Sequence, residues 1–165
     1  MSRRGRITVF VSIGLLLVAI AAVEVASGLS QEEPAAAEVV LPSSVLVAPR
    51  ATVASLRGKP SIVHFWASWC DPCIKEAREF PKLAEQLGGR VNLVGVDFSD
   101  DHAGARAFVR RFGWTFPVLV DADGTAGERD GVVGLPTTLI LDRDGRIVKR
   151  LQGPQTAAGL LKQVP

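Results

Sequence analysis

Residues 61–73 read SIVHFWASWCDPC, an apolar run followed at once by the chain's only two cysteines, Cys70 and Cys73. The apolar part is typical of a buried central strand rather than a strand with one solvent-exposed face. The apolar residues that follow recur at helical spacing, at Ile74, Ala77, Phe80, Ala84 and Leu87. This spacing predicts a helix over residues 71–87. The two cysteines are therefore expected where a strand passes into a helix.

This position favours a thiolate on Cys70. Unpaired backbone N–H groups and the dipole at the start of a helix stabilise an anion, so we expect the pKa of the Cys70 thiol to lie below the roughly 8.5 of a free cysteine. Pro72 suits the first helical turn, where its missing N–H costs no hydrogen bond. Asp71 adds a nearby negative charge, which opposes the thiolate and tempers the fall in pKa.

Two cysteines at this spacing can also belong to a zinc site, a haem attachment site or a structural disulfide, but the sequence fits these less well. A zinc site needs about four ligands, and the chain has two histidines, His64 and His102, neither at zinc-finger spacing. Haem attachment requires a histidine directly after the second cysteine, where this chain has Ile74. A purely structural disulfide stabilises little across so short a loop. We interpret the pair as a redox-active dithiol, with no metal site and no separate cofactor.

The segment FWASWCDPC, residues 65–73, resembles the signature of the thioredoxin superfamily, in particular its TlpA/ResA-like branch of membrane-tethered thiol–disulfide oxidoreductases. Further matches follow in the family's order: RGKP at 57–60, FPVLVDADG at 116–124 and GLPTTLILDRDGRI at 134–147. Together they cover the chain from about residue 52 to residue 150. The resemblance implies an α/β, thioredoxin-like fold with a central mixed β-sheet and helices on both faces.

The pattern of apolar and polar residues is consistent with this fold. It predicts strands near residues 45–47, 62–66, 91–97, 116–121, 137–141 and 146–151, the last two joined by an Asp-Gly turn. Besides the helix over 71–87, which Pro81 should kink, helices are expected from Asp100 or Asp101 to Phe112 and over residues 155–164. Strands that alternate with helices and end in a hairpin give a mixed sheet covered on both faces.

The first 27 residues have the pattern of a membrane anchor. Arg3, Arg4 and Arg6 precede an uncharged apolar run, residues 7–23, which approaches the ~20 residues needed to span the hydrocarbon. The arginines orient the N-terminus towards the cytoplasm and the rest of the chain away from it. A cleaved signal peptide is the alternative, because small residues near position 27 resemble a cleavage site.

The rest of the chain divides into a linker over residues 28–42, bearing alanine, proline and glutamate, and a thioredoxin-like domain over residues 43–165. We therefore expect a single-pass membrane protein whose catalytic domain is extracytoplasmic, or a secreted protein if the signal is cleaved. The formal net charge of +2 argues against a nucleic-acid partner.

The resemblance also implies a substrate-binding loop. Pro136 stands where the thioredoxin fold places a cis-proline facing the dithiol. The amide and carbonyl of Leu135 would then be free to pair with an extended substrate segment. Trp69 and Pro72 are expected on the apolar rim beside the cysteines.

Three residues are candidates to exchange a proton with Cys73. Glu76 lies three residues further on, on the same helical face, and TlpA/ResA-like proteins carry a glutamate at this spacing. Glu79 competes, because it precedes Phe80-Pro81 as the family glutamate precedes its proline. His64 lies in the strand before the dithiol, and imidazole carries protons near neutral pH.

These residues predict thiol–disulfide exchange in which Cys70 attacks and Cys73 resolves. The resemblance implies reduction of specific exported cysteine-containing proteins, as in cytochrome c or copper-site maturation, with electrons from a membrane donor. The reverse direction, disulfide formation with a membrane electron acceptor, remains an alternative. A peroxiredoxin-like peroxidase is disfavoured, because such enzymes have threonine where this chain has Ala67. A non-catalytic metal-delivery module on the same fold is the last alternative.

Overall fold

The structure, a computed structural model, describes residues 37–164. Within this part of the chain there are six strands and six helices. The strands are β1 (Ser44–Val47), β2 (Ser61–Trp66), β3 (Asn92–Phe98), β4 (Val118–Asp121), β5 (Thr137–Leu141) and β6 (Ile147–Gln152). The helices are α1 (Val53–Leu56), α2 (Asp71–Glu76), α3 (Glu79–Leu87), α4 (His102–Phe112), α5 (Thr125–Arg129) and α6 (Ala157–Leu161).

The predicted anchor over residues 1–27, and the linker up to residue 36, lie outside the described residues. Among residues 37–164, the helices are all too short or too polar to cross a lipid bilayer.

The six strands form one mixed sheet in the order β1-β4-β3-β2-β5-β6. Strands β2, β3 and β4 are parallel, whereas β1, β5 and β6 join their neighbours in antiparallel register. All six residues of β2 are buried, as the apolar run predicted. The mixed sheet is confirmed, and its interior strand β2 carries the chain into the cysteine pair.

Helices cover both faces of the sheet. On one face, Ile62 and Trp66 of β2 pack in a cluster with side chains from α3, α4 and α6, and both cysteines belong to this cluster. On the other face, Val63 and Phe65 pack with Leu56 of α1. We call the first of these the dithiol face.

The final residues of the predicted linker lie against the domain. The Ile147 N–H donates to the Ala37 carbonyl at 2.9 Å, and the Val39 N–H donates to the Gly145 carbonyl at 3.1 Å. Val39 is buried, and the Val40 N–H donates to an Asp130 carboxylate oxygen at 2.8 Å. Residues 37–40 therefore form a strap along the edge of the sheet.

The helix predicted over residues 71–87 is interrupted, in agreement with the kink expected from Pro81, so that α2 and α3 replace one regular helix. The break falls at Ala77 and Arg78, one turn before Pro81. Because Pro81 has no N–H, the Ala77 carbonyl loses its helical donor. The indole N–H of Trp114 donates to that carbonyl instead, at 2.9 Å. Pro81 thus sets the position of the break, and a tertiary hydrogen bond satisfies the carbonyl that is left without a helical donor.

Two short helices were missed by the sequence analysis, and both begin with local hydrogen bonds. Thr52 and Ser55 form a reciprocal capping box at α1. At α5, the Asp121 carboxylate accepts from the N–H groups of Ala126 and Gly127. Of the two candidate caps for α4, Asp101 is the one that accepts from the first turn.

Candidate active site

The end of β2 places Cys70 at the N-cap of α2 and Cys73 in its first turn. The two residues form a disulfide bond. Cys70 is 4% exposed and Cys73 1% exposed. The Cys73 N–H points at the Cys70 sulfur, 3.3 Å away. This backbone donor would stabilise negative charge on Cys70 once the disulfide is reduced.

The turn between β3 and α4 holds the loop that carries Cys70. Both the N–H and the hydroxyl of Ser68 donate to the Asp100 carboxylate, at 2.5 Å and 3.0 Å. The Trp69 indole N–H donates to the Ser99 carbonyl at 3.1 Å, although 60% of Trp69 is exposed. Ser99 has a φ of 51°, a left-handed conformation that is costly for a residue other than glycine. The loop before Cys70 is thus fixed from one side.

On another side of the dithiol, the Leu135–Pro136 peptide bond is cis. Thr137, the next residue, pairs with Phe65 of β2, so this loop runs beside the segment that enters the cysteine pair. Leu135 packs against the cluster that contains both cysteines. Within the described part of the chain, no hydrogen bond uses the N–H or the carbonyl of Leu135.

Beneath α2, the structure brings together two of the three candidate proton partners. His64 Nε2 lies 3.2 Å from Glu76 Oε1, and both side chains are at least 98% buried. The contact has the distance of an ion pair but not the angles of a well-aligned hydrogen bond. The other His64 nitrogen, Nδ1, lies 2.9 Å from the Thr138 hydroxyl, and the Gln155 N–H donates to Glu76 Oε2 at 2.5 Å.

Glu79 does not join this group. Its carboxylate accepts from the Ala157 N–H at 3.1 Å and pairs with Lys82 at 3.3 Å. The Ala157 N–H and Lys82 together lower the pKa of Glu79 from its usual value. Glu79 is thus bonded to the start of α6, on the other side of the helix break from Glu76.

The sequence analysis missed a buried acid, Asp97, at the end of β3. Its side chain is fully buried, and neither carboxylate oxygen has a hydrogen-bond donor among the described residues. Burial raises the pKa of Asp97 to about 8, and the nearby carboxylates of Asp100 and Asp101 add to the rise. An aspartate inside an otherwise apolar run, VGVDF, was the available signal.

An interior strand that delivers two cysteines to the first turn of a helix, beside the Leu135–Pro136 loop, is the arrangement of a thioredoxin-like protein. The sequence profile of the AhpC/TSA family matches residues 33–150, and the chain belongs to this family.

Curated relatives include the thiol:disulfide interchange protein DsbE of Pseudomonas aeruginosa, 38% identical over 114 residues, which are 68% of this chain and 62% of that protein. The thiol-disulfide oxidoreductase ResA of Bacillus thuringiensis is 32% identical over 104 residues, 61% of this chain and 58% of that protein. The chain therefore spans about three fifths of the length of these relatives.

Solved structures show the same architecture. StoA from Bacillus subtilis has a TM-score of 0.67 and 27% identity, covering 77% of this chain and 97% of that one. A secreted disulfide oxidoreductase of Mycobacterium tuberculosis, homologous to DsbE of E. coli, has a TM-score of 0.61 and 29% identity, covering 69% and 84%. The thioredoxin-like fold expected from the sequence is confirmed.

Proposed function

We propose that this protein is an extracytoplasmic thiol–disulfide oxidoreductase that reduces disulfides in specific exported proteins. The observation that carries the proposal is the backbone N–H of Cys73 aimed at the Cys70 sulfur. Both cysteines are buried, Cys73 slightly more deeply than Cys70. Of the two sulfurs, that of Cys70 is thus the one prepared as a thiolate. The names of the ResA and DsbE relatives support the same reaction.

In the reaction, the Cys70 thiolate attacks one sulfur of a substrate disulfide. A bond forms between Cys70 and the substrate, and the second substrate sulfur leaves as a thiolate that takes a proton. Cys73 then loses its proton and attacks Cys70, which releases the substrate as a dithiol. The Cys70–Cys73 disulfide that remains is reduced again by an electron donor, which we place at the membrane. No further cofactor is needed.

Glu76 and His64 are proposed to accept the proton of Cys73. Glu76 follows Cys73 by three residues in α2 and therefore lies on the same face of the helix. Its contact with His64 gives the proton a second basic site in a region closed to solvent. Glu79 is not assigned this role, because it is bonded to α6.

The cis-proline loop is proposed to bind the substrate. The free N–H and carbonyl of Leu135 suit pairing with an extended segment. Exposed apolar side chains lie in this loop and beside the cysteines, on Val133 and Trp69, which are 85% and 60% exposed. Such a surface suits a protein substrate with an accessible cysteine pair.

We further propose that residues 7–23 anchor the chain and place the domain outside the cytoplasm. Three arginines before the uncharged run support this orientation. The solved Mycobacterium tuberculosis relative is described as secreted. A reductant in such a compartment needs a dedicated electron supply, because the surroundings favour disulfides.

The reaction order is tested with Cys73→Ser and Cys70→Ser in a model-disulfide exchange assay. Cys73→Ser should accumulate a mixed disulfide through Cys70, detected by mass spectrometry, whereas Cys70→Ser should be inactive. Full exchange by Cys70→Ser would overturn the assignment of the attacking sulfur. A measured reduction potential tests the direction of the exchange reaction. A value of about −270 mV supports a reductant, and one of about −120 mV supports an oxidant.

A further inference from the structure

The exchange mechanism leaves one buried acid without a role. Asp97 is fully buried at the end of β3, and its carboxylate has no donor within the described residues. A buried charge without a partner is strongly unfavourable, so a group of this kind is uncommon in a folded protein. The same short stretch contains Ser99, with its left-handed backbone, and such conformations cluster at functional sites.

Asp97 lies on the dithiol face of the sheet. It pairs in register with Trp66, which packs in the same cluster as both cysteines. Leu93 also belongs to that cluster, and residues two apart in a strand share a face. Asp97 therefore lies on the same face of the sheet as the cysteine pair, in β3, whereas Glu76 of the Glu76–His64 pair belongs to α2.

Asp100 lies three residues after Asp97, acts on the Asp97 carboxyl, and is bonded to the loop that carries Cys70. Both Asp100 oxygens accept from Ser68, two residues before Cys70. Ser68 also lies close to α4, since a Cβ atom on Gly104 would be 2.5 Å from its hydroxyl oxygen. A change in the Asp100 carboxylate is therefore transmitted to the Cys70 loop.

We propose that Asp97 and Asp100 share one proton, and that this acid pair positions the Ser68–Cys70 loop and controls the ionisation of Cys70. The inference rests on the proposed function, in which Cys70 is the attacking thiolate. Asp97 is a positioning residue in this scheme, because it acts through Asp100 and Ser68.

The chemistry of two adjacent carboxyl groups accounts for the missing donor. Two carboxylates cannot hydrogen-bond to each other, but a protonated Asp97 donates to Asp100 and leaves Asp100 free to accept from Ser68. When the proton leaves, like charges face each other in a buried site, and the new charge opposes a thiolate on Cys70. The raised pKa of Asp97 is consistent with this arrangement.

The charged neighbours of Asp97 come from one element. Asp100 and Asp101 of the following turn both act to hold its proton. Its partners in register across the sheet, Trp66 of β2 and Val120 of β4, carry no charge. On this basis, the ionisation of Asp97 responds to Cys70 and to these two acids.

Coupling between two ionisable groups is reciprocal. A thiolate on Cys70 must raise the pKa of Asp97, so the carboxyl of Asp97 should titrate at higher pH in the reduced protein than in the oxidised protein. Carbon-13 NMR of the Asp97 side chain in the intact wild-type chain measures both values. A rise of about half a pH unit or more on reduction is expected. Identical titration in the two redox states would overturn the proposal without any variant.

A variant provides the second test. In the reduced wild type, the alkylation rate of Cys70 is measured against pH and resolved from that of Cys73 by mass spectrometry. The rate should rise over a wider pH range than a single ionisation would give. In Asp97→Asn, the alkylation rate of Cys70 should rise over the narrower pH range of one ionisation. Asp144→Asn removes the same charge from the β5–β6 turn, at the opposite end of β5 from Pro136, and should leave the wild-type breadth.

An Asp97→Asn profile that overlays the wild type would reject the acid pair. Model-disulfide exchange by the same samples at neutral pH separates this failure from failure of the proposed function. If the wild type exchanges disulfides and the two profiles coincide, only the acid pair is lost. If the wild type does not exchange disulfides, the proposed function itself fails.

Discussion

Two buried acids on the dithiol face have opposite kinds of neighbour. Under α2, a carboxylate meets an imidazole 3.2 Å away, and the second oxygen of Glu76 accepts from a backbone N–H. At the end of β3, Asp97 faces other acids and has no donor among the described residues. The net charge of the Glu76–His64 pair is the same whichever partner holds the proton. The Asp97–Asp100 pair, by contrast, avoids two adjacent buried negative charges only while it holds a proton.

The largest expected effect comes from removing one member of the Glu76–His64 pair. Glu76→Ala leaves His64 and the Gln155 N–H without their buried partner, which typically costs about 3–5 kcal/mol. Denaturant unfolding at neutral pH measures the loss. Glu79→Ala is the matched control: its carboxylate is partly exposed, and we expect a much smaller loss of stability. Equal losses in the two variants would contradict the distinction between the two glutamates.

A second comparison concerns the pH dependence of stability. Between about pH 4 and the Asp97 pKa of about 8, the folded state holds a proton that the unfolded state lacks. Stability therefore falls as pH rises across this window, by up to about 1.4 kcal/mol per unit for one group. Asp97→Asn removes this contribution, so its stability relative to wild type should increase with pH.

Because of Asp130, the stability of Asp97→Asn should still depend on pH. Burial raises the pKa of Asp130 to about 7, against the lowering effect of the Val40 N–H. It therefore adds a slope of the same sign at lower pH, and that slope persists in the variant. Thermal unfolding of both proteins across this range gives the comparison. Parallel curves would show that Asp97 does not hold a proton in the folded state.

A smaller effect is expected from crowding Ser68. In Gly104→Ala the new Cβ would lie 2.5 Å from the Ser68 hydroxyl oxygen, so the Ser68 side chain must move from its place beside Asp100. Overpacking of this kind typically costs about 1–3 kcal/mol. We expect disulfide exchange to slow by about tenfold, because misplacement near the reacting atom is costly. A variant that unfolds more easily but exchanges at the wild-type rate would argue that the loop position is unimportant.

The smallest effect should follow from Ser68→Ala. This change removes the hydroxyl bond to Asp100 but keeps the backbone bond from the Ser68 N–H. A loss of about 0.5–1.5 kcal/mol is expected, with a several-fold slower exchange. Urea unfolding and the exchange assay measure the two quantities. A loss as large as that of Gly104→Ala would mean that the hydroxyl bond, rather than loop placement, holds this region.

The sheet and the cysteine junction could be predicted because their signals are local. The apolar run before Cys70 and the Asp-Gly turn of the hairpin each depend on a few neighbouring residues. Asp101 at the start of α4 is a signal of the same kind. The missed helices α1 and α5 are shorter than two turns, too short for apolar periodicity to reveal them.

The choice between Glu76 and Glu79 could not be made from the sequence. Spacing from Cys73 favoured one and the Phe-Pro context favoured the other. The helix break separates them, and the partners that distinguish them, His64 for Glu76 and the Ala157 N–H for Glu79, are tertiary contacts far away in the chain. Asp97 was missed for a similar reason, because its face of the sheet and its acidic neighbours are tertiary facts.

The bond between Trp114 and Ala77 has a consequence for how the dithiol segment can vary. A proline inside a helix usually costs about 3 kcal/mol or more, partly through the orphaned carbonyl, and here the indole replaces the missing donor. The six-residue α2 is therefore held at both ends. Cys70 caps its start, and Trp114 bonds to the Ala77 carbonyl just beyond its end. Between these two points, Asp71 and Pro72 can be substituted by other residues while the surrounding backbone keeps its conformation.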